Sequence, residues 1–231
     1  FNSKLLRIGM QNRESTDIYF EFNNETIKIF NNLSNEVILI PQKIINFTKA
    51  KHNFSNLLTA YTAGFLMKQS KEIFIEAVKD LKNLEHRTEF LGRIKKINFY
   101  NDSKSTNMNS AKTAINAFSN IFWILGGREK TGGLNGIERD LKNIKNAYSY
   151  GESGEKIKYF LNNNSVNCKN YRTLEESFNS AFEDAIDFKD KANIIFSPAC
   201  SSFDQFKNFE TRGNKFKKLV FEKLKMYEKK Y

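Results

Sequence analysis

Sulfur, imidazole and proline are scarce in this chain of 231 residues, which has 2 cysteines, 2 histidines, 2 prolines and 1 tryptophan. Cys168 and Cys200 lie far apart, with no CxxC or Cys/His spacing, so they indicate neither a disulfide framework nor a zinc site. They read as reduced cytosolic thiols. His52 and His86 are likewise not at metal-ligand spacing. No apolar run approaches the ~18 residues of a membrane span, and no signal-peptide pattern is visible. There is no Arg-rich tract, although the formal net charge is +11. Lysines are spread along the whole chain, which fits a generally basic surface plus a phosphate site better than a dedicated nucleic-acid binder. The chain opens at Phe1 without an initiator methionine, so the true N-terminus is expected upstream.

Hydrophobic residues are plentiful: they make up 40% of the chain, and 22 residues are phenylalanine. A substantial core can form. Ile18 to Phe22 and Thr26 to Phe30, joined by Asn23-Asn24-Glu25, have the pattern of a hairpin, and Val37 to Ile40 is a third short strand stopped by Pro41. Lys51 to Asn56 leads into an apolar helix from Leu57 to Leu66. Asn53 and Asn56, three apart, would put both amides on one side of its first turn. A second helix is expected over 70–81. Leu84 to Phe90 reads as a connector, and the change of pattern after Gly92 as a domain boundary.

From Ile94 onward strand and helix patterns alternate. Strand-like runs are Ile97 to Tyr100, Ile121 to Leu125, Ala147 to Tyr150 and Asn193 to Ser197. Helical spacing is found near 107–118, 137–145, 153–161 and 174–187, and again in a terminal amphipathic helix over 212–231. Such alternation predicts an α/β domain with a mainly parallel sheet covered by helices.

Ligands of open α/β sheets bind at the carboxyl ends of the strands, and three of these ends carry unusual chemistry. The first is Asn101 to Asn107. Here Asp102 can accept ribose hydroxyls, Lys104 can neutralise phosphate, and Thr106 can bond a carboxylate or cap the helix. An ordinary loop whose Ser and Thr cap a helix also fits it. The second is Gly126-Gly127-Arg128-Glu129-Lys130, where paired glycines let backbone approach a ligand closely and Lys130 can bind an anion. A simple tight turn is the alternative. The third is Ser197 to Gly213, a small-residue turn expected to open a short helix whose amides and Ser202 hydroxyl suit a carboxylate.

In order, His52-Asn53-Phe54-Ser55-Asn56, His86-Arg87-Thr88-Glu89, Asn101 to Asn107, Gly126 to Lys130 and Ser197 to Gly213 give the chain a resemblance to the Mur ligases over nearly its whole length. The last motif is similar to the D-glutamate-adding branch of that family. No Asp-Asn-Pro-Arg motif, which marks the diaminopimelate- or lysine-adding branches, is present. The resemblance implies an α/β fold with a C-terminal Rossmann-like domain (92–231) that binds the amino acid. Before it would come the C-terminal part of a Mur-type ATP-binding domain (1–91).

The activity implied is cytoplasmic, ATP-dependent ligation of D-glutamate to UDP-N-acetylmuramoyl-L-alanine through an acyl phosphate, in peptidoglycan synthesis. A monomer is expected, with neither nucleic acid nor membrane as partner. By the family pattern Asn53 and Asn56 contact the nucleotide, Arg87 its phosphates and Asp102 its ribose, with Lys104 near the transferring phosphoryl. Thr106, Lys130, Ser202, Phe203 and Phe209 hold D-glutamate, although Phe203 stands where the family pattern has leucine.

The departures from the pattern matter as much. No G-x-x-x-x-G-K-[ST] phosphate loop occurs in this chain, and the family's glutamate, histidine and modified-lysine ligands for magnesium have no counterpart, so both are expected upstream. The chain alone is therefore expected to be inactive. The rival readings are a catalytically silent half-site that binds only nucleotide or D-glutamate, and another Mur-type ligase similar to folylpolyglutamate synthase.

Overall fold

The computed structural model describes residues 5–11, 15–22, 25–45, 51–81, 84–130, 132–134 and 136–228. The chain divides into two compact units, Phe1–Asn83 and Leu84–Tyr231.

The first unit carries a four-stranded sheet in the order β1 (Ile8–Gly9), β2 (Ile18–Phe22), β3 (Thr26–Asn31), β4 (Glu36–Pro41). β1 is parallel to β2, and the other pairs are antiparallel. The expected hairpin is β2–β3, with Ile18 opposite Asn31, and Asn23 and Asn24 of its turn lie outside the described residues. Two helices follow, α1 (Lys51–Leu66) and α2 (Lys71–Asp80). α1 starts at Lys51 rather than Leu57, so the His52 to Asn56 motif forms its first turns. Phe54, Leu57, Leu58 and Tyr61 fall at i, i+3, i+4 and i+7 and pack on Phe20, Ile27, Ile29, Ile38 and Ile40. Ser70 caps α2 by accepting from the Ile73 amide.

The second unit is a three-layer α/β/α domain. Its elements are β5 (Glu89–Ile94), β6 (Ile97–Asn101), α3 (Met108–Asn116), β7 (Ile121–Gly126), β8 (Ile144–Tyr150), α4 (Gly154–Asn163), β9 (Cys168–Tyr171), α5 (Leu174–Asp187), β10 (Ala192–Phe196) and α6 (Phe209–Glu228). The sheet order is β5-β6-β10-β7-β8-β9, all parallel except for β5, which runs antiparallel to β6. β7 shows why its sequence is a continuous apolar run. Ile121, Trp123 and Leu125 face the core under α3 and α4, while Phe122 and Ile124 face the core under α5 and α6.

Several expectations are corrected. The division falls before Leu84 and not at Gly92, because Glu89–Ile94 is a strand of the second sheet with a bulge between Phe90 and Gly92. Gly92 adopts φ 144°, and a Cβ there would lie 2.9 Å from Leu224 Cδ1. The helix expected over 137–145 is a 3-10 turn, Glu138–Asn143, after which β8 begins at Ile144. β9 was not foreseen. Cys168 and Cys200 are free and buried, and burial pushes the Cys200 thiol up to about 12, so it stays protonated. Among the described residues no helix is long and apolar enough to cross a membrane.

Candidate active site

β6, β7, β8 and β10 run parallel, so the turns that follow them emerge on one edge of the sheet, with β10 between β6 and β7. This is where the strand order reverses, the usual place for a ligand crevice.

The turn 84–88 presents Arg87 between two residues in the left-handed region, His86 (φ 62°) and Thr88 (φ 46°). Such a conformation is costly for non-glycine residues, at about 1–2 kcal/mol each. Its neighbours hold it in place: the Lys104 amide donates to the His86 carbonyl at 2.9 Å, and the Thr88 amide to Asp102 Oδ1 at 3.0 Å. His86 is buried, with its ring on the Gly213 backbone and Asn101 Nδ2 2.8 Å from Nδ1. Burial pushes its pKa below the ordinary value, against the opposing pull of Glu89 and Glu85. Glu85 and Glu89, the two carboxylates nearest Arg87 in sequence, are both taken by Lys217, at 3.1 and 2.7 Å. Burial lowers the Lys217 pKa, but the two glutamates outweigh it and the net direction is up. Among the described residues no carboxylate pairs with Arg87.

Lys104 is exposed, with its ammonium 4.0 Å from the centroid of the Phe209 ring. Phe209 opens α6, and its carbonyl accepts from Ser103 Oγ at 2.8 Å. Lys130, also exposed, reaches back so that Nζ lies 3.5 Å from Thr106 Oγ1. The structure thus pairs Lys130 with Thr106 and Lys104 with Phe209, and bonds the Lys104 backbone to the turn that carries Arg87. No carboxylate pairs with any of the three cations among the described residues. Two carboxylates of the neighbouring turns are engaged elsewhere, Glu129 on Lys156 and Glu152 on Arg128. Three cations without a carboxylate partner among the described residues thus lie in turns at one edge of the sheet.

Other expected residues are placed differently. Asp102 is 3% exposed and accepts from the Thr88 amide and hydroxyl, Ser105 Oγ and Ser197 Oγ. Burial pushes its pKa up, and those hydrogen bonds work the other way. Ser202 is buried, in a turn whose carbonyl accepts from the Gln205 and Phe206 amides, and the short helix expected there is absent. Phe203 is 64% exposed, so its size is not a packing constraint. Gly126 and Gly127 serve protein contacts instead of ligand approach. A Cβ would meet the Tyr150 carbonyl oxygen at 2.1 Å and the Ser201 carbonyl oxygen at 2.2 Å, respectively. Asn56 is exposed on α1 of the first unit, and Asn53 lies on the same helix with its side chain outside the described residues.

Sequence reasoning missed Arg212, which is fully buried. Its Nη2 and Nε bond the Ser103 carbonyl and hydroxyl at 2.8 and 3.1 Å, and its Nη1 bonds the Cys200 carbonyl at 2.9 Å. It thereby ties the turn after β6 to the turn after β10. A charged residue among lysines on a terminal helix carries no signal of burial in one sequence.

No protein-family profile matches the chain. Curated relatives do. A UDP-N-acetylmuramoylalanine--D-glutamate ligase of Wolbachia sp. subsp. Brugia malayi (strain TRS) is 36% identical over 96% of this chain and 47% of its own length. One of Rickettsia prowazekii (strain Madrid E) is 40% identical over 73% of this chain and 38% of its own length. The fold matches that of a UDP-N-acetylmuramate-alanine ligase from Thermotoga maritima, with TM-score 0.62 at 12% identity, covering 95% of this chain and 47% of that one. The parallel α/β domain is that of the Mur ligases' C-terminal domain, and the chain belongs to the Mur ligase family. Within that family, the sequence relatives named here are D-glutamate ligases. The chain spans about half the length of these relatives or less.

Proposed function

We propose that the chain supplies the amino-acid-binding end, and part of the phosphate-binding end, of an ATP-dependent ligase. This enzyme joins D-glutamate to UDP-N-acetylmuramoyl-L-alanine in peptidoglycan synthesis. The observation that carries the reading is the rim of three cations, Arg87, Lys104 and Lys130, with no carboxylate partner among the described residues. A carboxylate is a poor electrophile, and phosphorylation to an acyl phosphate gives it a leaving group that the amine of D-glutamate can displace. Enzymatic work in such a transfer is mostly positioning and neutralising charge.

Arg87, held by its fixed turn, and Lys104 face phosphate oxygens in this reading. Lys130 and Thr106 take a carboxylate of D-glutamate, and Phe209 supplies an apolar wall beside Lys104. Residues 1–83 are read as the end of the ATP-binding domain, with Asn53 and Asn56 as candidate nucleotide contacts of that domain. The rim suits the polyphosphate of ATP. For magnesium the fit is poor here: among the described residues no group of three or more His, Cys, Asp or Glu side chains could hold a metal ion.

Calorimetric titration of the chain with ATP and with inorganic tripolyphosphate tests the phosphate half. Saturable binding of both, weakened about tenfold or more by Arg87→Ala, is the expected result. Equal affinity of wild type and Arg87→Ala would remove Arg87 from the site.

A further inference from the structure

We propose that Lys217 of α6 is a positioning residue: by engaging Glu85 and Glu89 together, it keeps the Arg87 guanidinium unpaired and available to an anion. This rests on the reading of Arg87 as a phosphate ligand. The segment 84–89 carries two carboxylates and one arginine, and its buried His86 is neutral because burial pushes the imidazole pKa below its ordinary value. By itself this segment has a net negative charge, with a carboxylate two residues away on either side of Arg87. Left alone, such an arginine meets its own glutamates before it meets a phosphate.

α6 changes that balance. Gly213 and Lys217 are four residues apart and share one face of the helix. Gly213 makes room for the His86 ring, since a Cβ there would collide with it. One turn further on, Lys217 Nζ lies 3.1 Å from Glu85 Oε1 and 2.7 Å from Glu89 Oε1. The bond to Lys217 holds the Glu85 carboxyl below its ordinary value, so it stays ionised. The two glutamates are held unequally. Glu89 also accepts from the His86 amide at 2.9 Å and from Asn101 Nδ2 at 3.1 Å, which fixes it in place. Lys217 is the only hydrogen-bond donor to the Glu85 side chain among the described residues, and that side chain is 70% exposed. Loss of Lys217 would therefore free Glu85 to swing onto Arg87. It would also leave Glu89, whose side chain is 17% exposed, without a cation, which adds to the pull on the guanidinium. An arginine already paired must break that bond before it can bind phosphate, and affinity falls accordingly.

Titration of the 231-residue chain with inorganic tripolyphosphate, together with the NMR signal of the Arg87 Nε–Hε group, tests this. The variants are Lys217→Met, Lys217→Arg, Glu85→Gln and the double variant Lys217→Met/Glu85→Gln. Lys217→Met should weaken tripolyphosphate about tenfold. It should also move the Arg87 Nε–Hε signal and slow its exchange with water, as the guanidinium becomes paired. Lys217→Arg, which keeps the cation, should stay within about threefold of wild type. Glu85→Gln should change affinity less than about twofold in the wild-type background but recover about threefold or more in the Lys217→Met background, with the Arg87 signal moving back.

Unchanged tripolyphosphate affinity in Lys217→Met overturns the proposal. So does a loss that Glu85→Gln offsets equally in both backgrounds while the Arg87 signal stays in place, because Lys217 then acts only through its charge at a distance. If Lys217→Met does not fold, Lys217→Gln, whose amide can still bond Glu89, takes its place under the same criteria. If wild type does not bind tripolyphosphate, the phosphate reading fails, and the Arg87 signal alone decides whether Lys217 keeps the guanidinium unpaired.

Discussion

Replacing Lys130 with alanine should cost the chain its affinity for D-glutamate while sparing its affinity for polyphosphate. Lys130 Nζ lies 3.5 Å from Thr106 Oγ1, so a carboxylate accepting from that hydroxyl would also sit close to the ammonium. At about 4 Å and an effective dielectric constant near 20, the bare attraction is roughly 4 kcal/mol. Lys130 is exposed, so solvent removes a large part of this, and fully exposed pairs retain only ~0.2–1 kcal/mol. A charge-assisted hydrogen bond in a half-open site retains about 1.5–3 kcal/mol. The expected loss is therefore about ten- to a hundredfold in affinity for D-glutamate, with less than about a threefold change for tripolyphosphate. Lys130→Arg should recover part of the loss, and raising salt should narrow the gap between wild type and variant. Calorimetric titration of each ligand into wild type and both variants measures all of this. Unchanged D-glutamate affinity in Lys130→Ala, or an equal loss for tripolyphosphate, would refute the assignment.

Phe209→Leu removes the ring beneath Lys104, 4.0 Å from its ammonium, and should weaken tripolyphosphate about two- to fivefold, readable in the same titration. Gly127→Ala places a methyl 2.2 Å from the Ser201 carbonyl oxygen at φ +126°, and should destabilise the chain by about 2 kcal/mol or more. Calorimetry should then show Tm lower by roughly 4–8 °C. The pH dependence of stability should carry the mark of His86, whose folded pKa lies below its unfolded value because it is buried. The unfolded chain takes up that proton first, so stability is full above about 6.5 and falls as pH drops toward the folded value, by at most ~1.4 kcal/mol per pH unit. Denaturant titrations between pH 7 and 5 should show this slope flattened in His86→Gln.

Apolar periodicity made much of the second unit legible. β7 is an unbroken apolar run, and β10 is interrupted only by Asn193, because both faces of a central parallel strand are covered, and Phe216, Leu219 and Val220 mark the buried stripe of α6. β5 escaped because it is an edge strand, half-buried and bulged at Gly92, so it shows neither clean alternation nor a solid apolar run. The exposed residues of the proposed rim drew attention for a chemical reason: Lys104 and Lys130 are cations placed just after strands, where a ligand can reach them. What holds them was not. Asp102, Thr88, Ser105, Ser197 and Arg212 are polar residues consumed by bonds to distant segments, from Asp102 to Ser197 and from Ser103 to Arg212. In one sequence such residues look the same as solvent-facing ligands. Gly126 and Gly127 were assigned to a ligand on their residue type, when each is committed to close approach of the protein's own backbone.

The most direct test of the central claim is an NMR titration of the chain with D-glutamate, with L-glutamate as the control, following the amides of Thr106 and Lys130. Saturable shifts at both amides with D-glutamate, and an affinity at least about tenfold weaker for L-glutamate, are the predicted result. Shifts of equal size and affinity for the two enantiomers, or no shift at either amide with D-glutamate, would contradict the account.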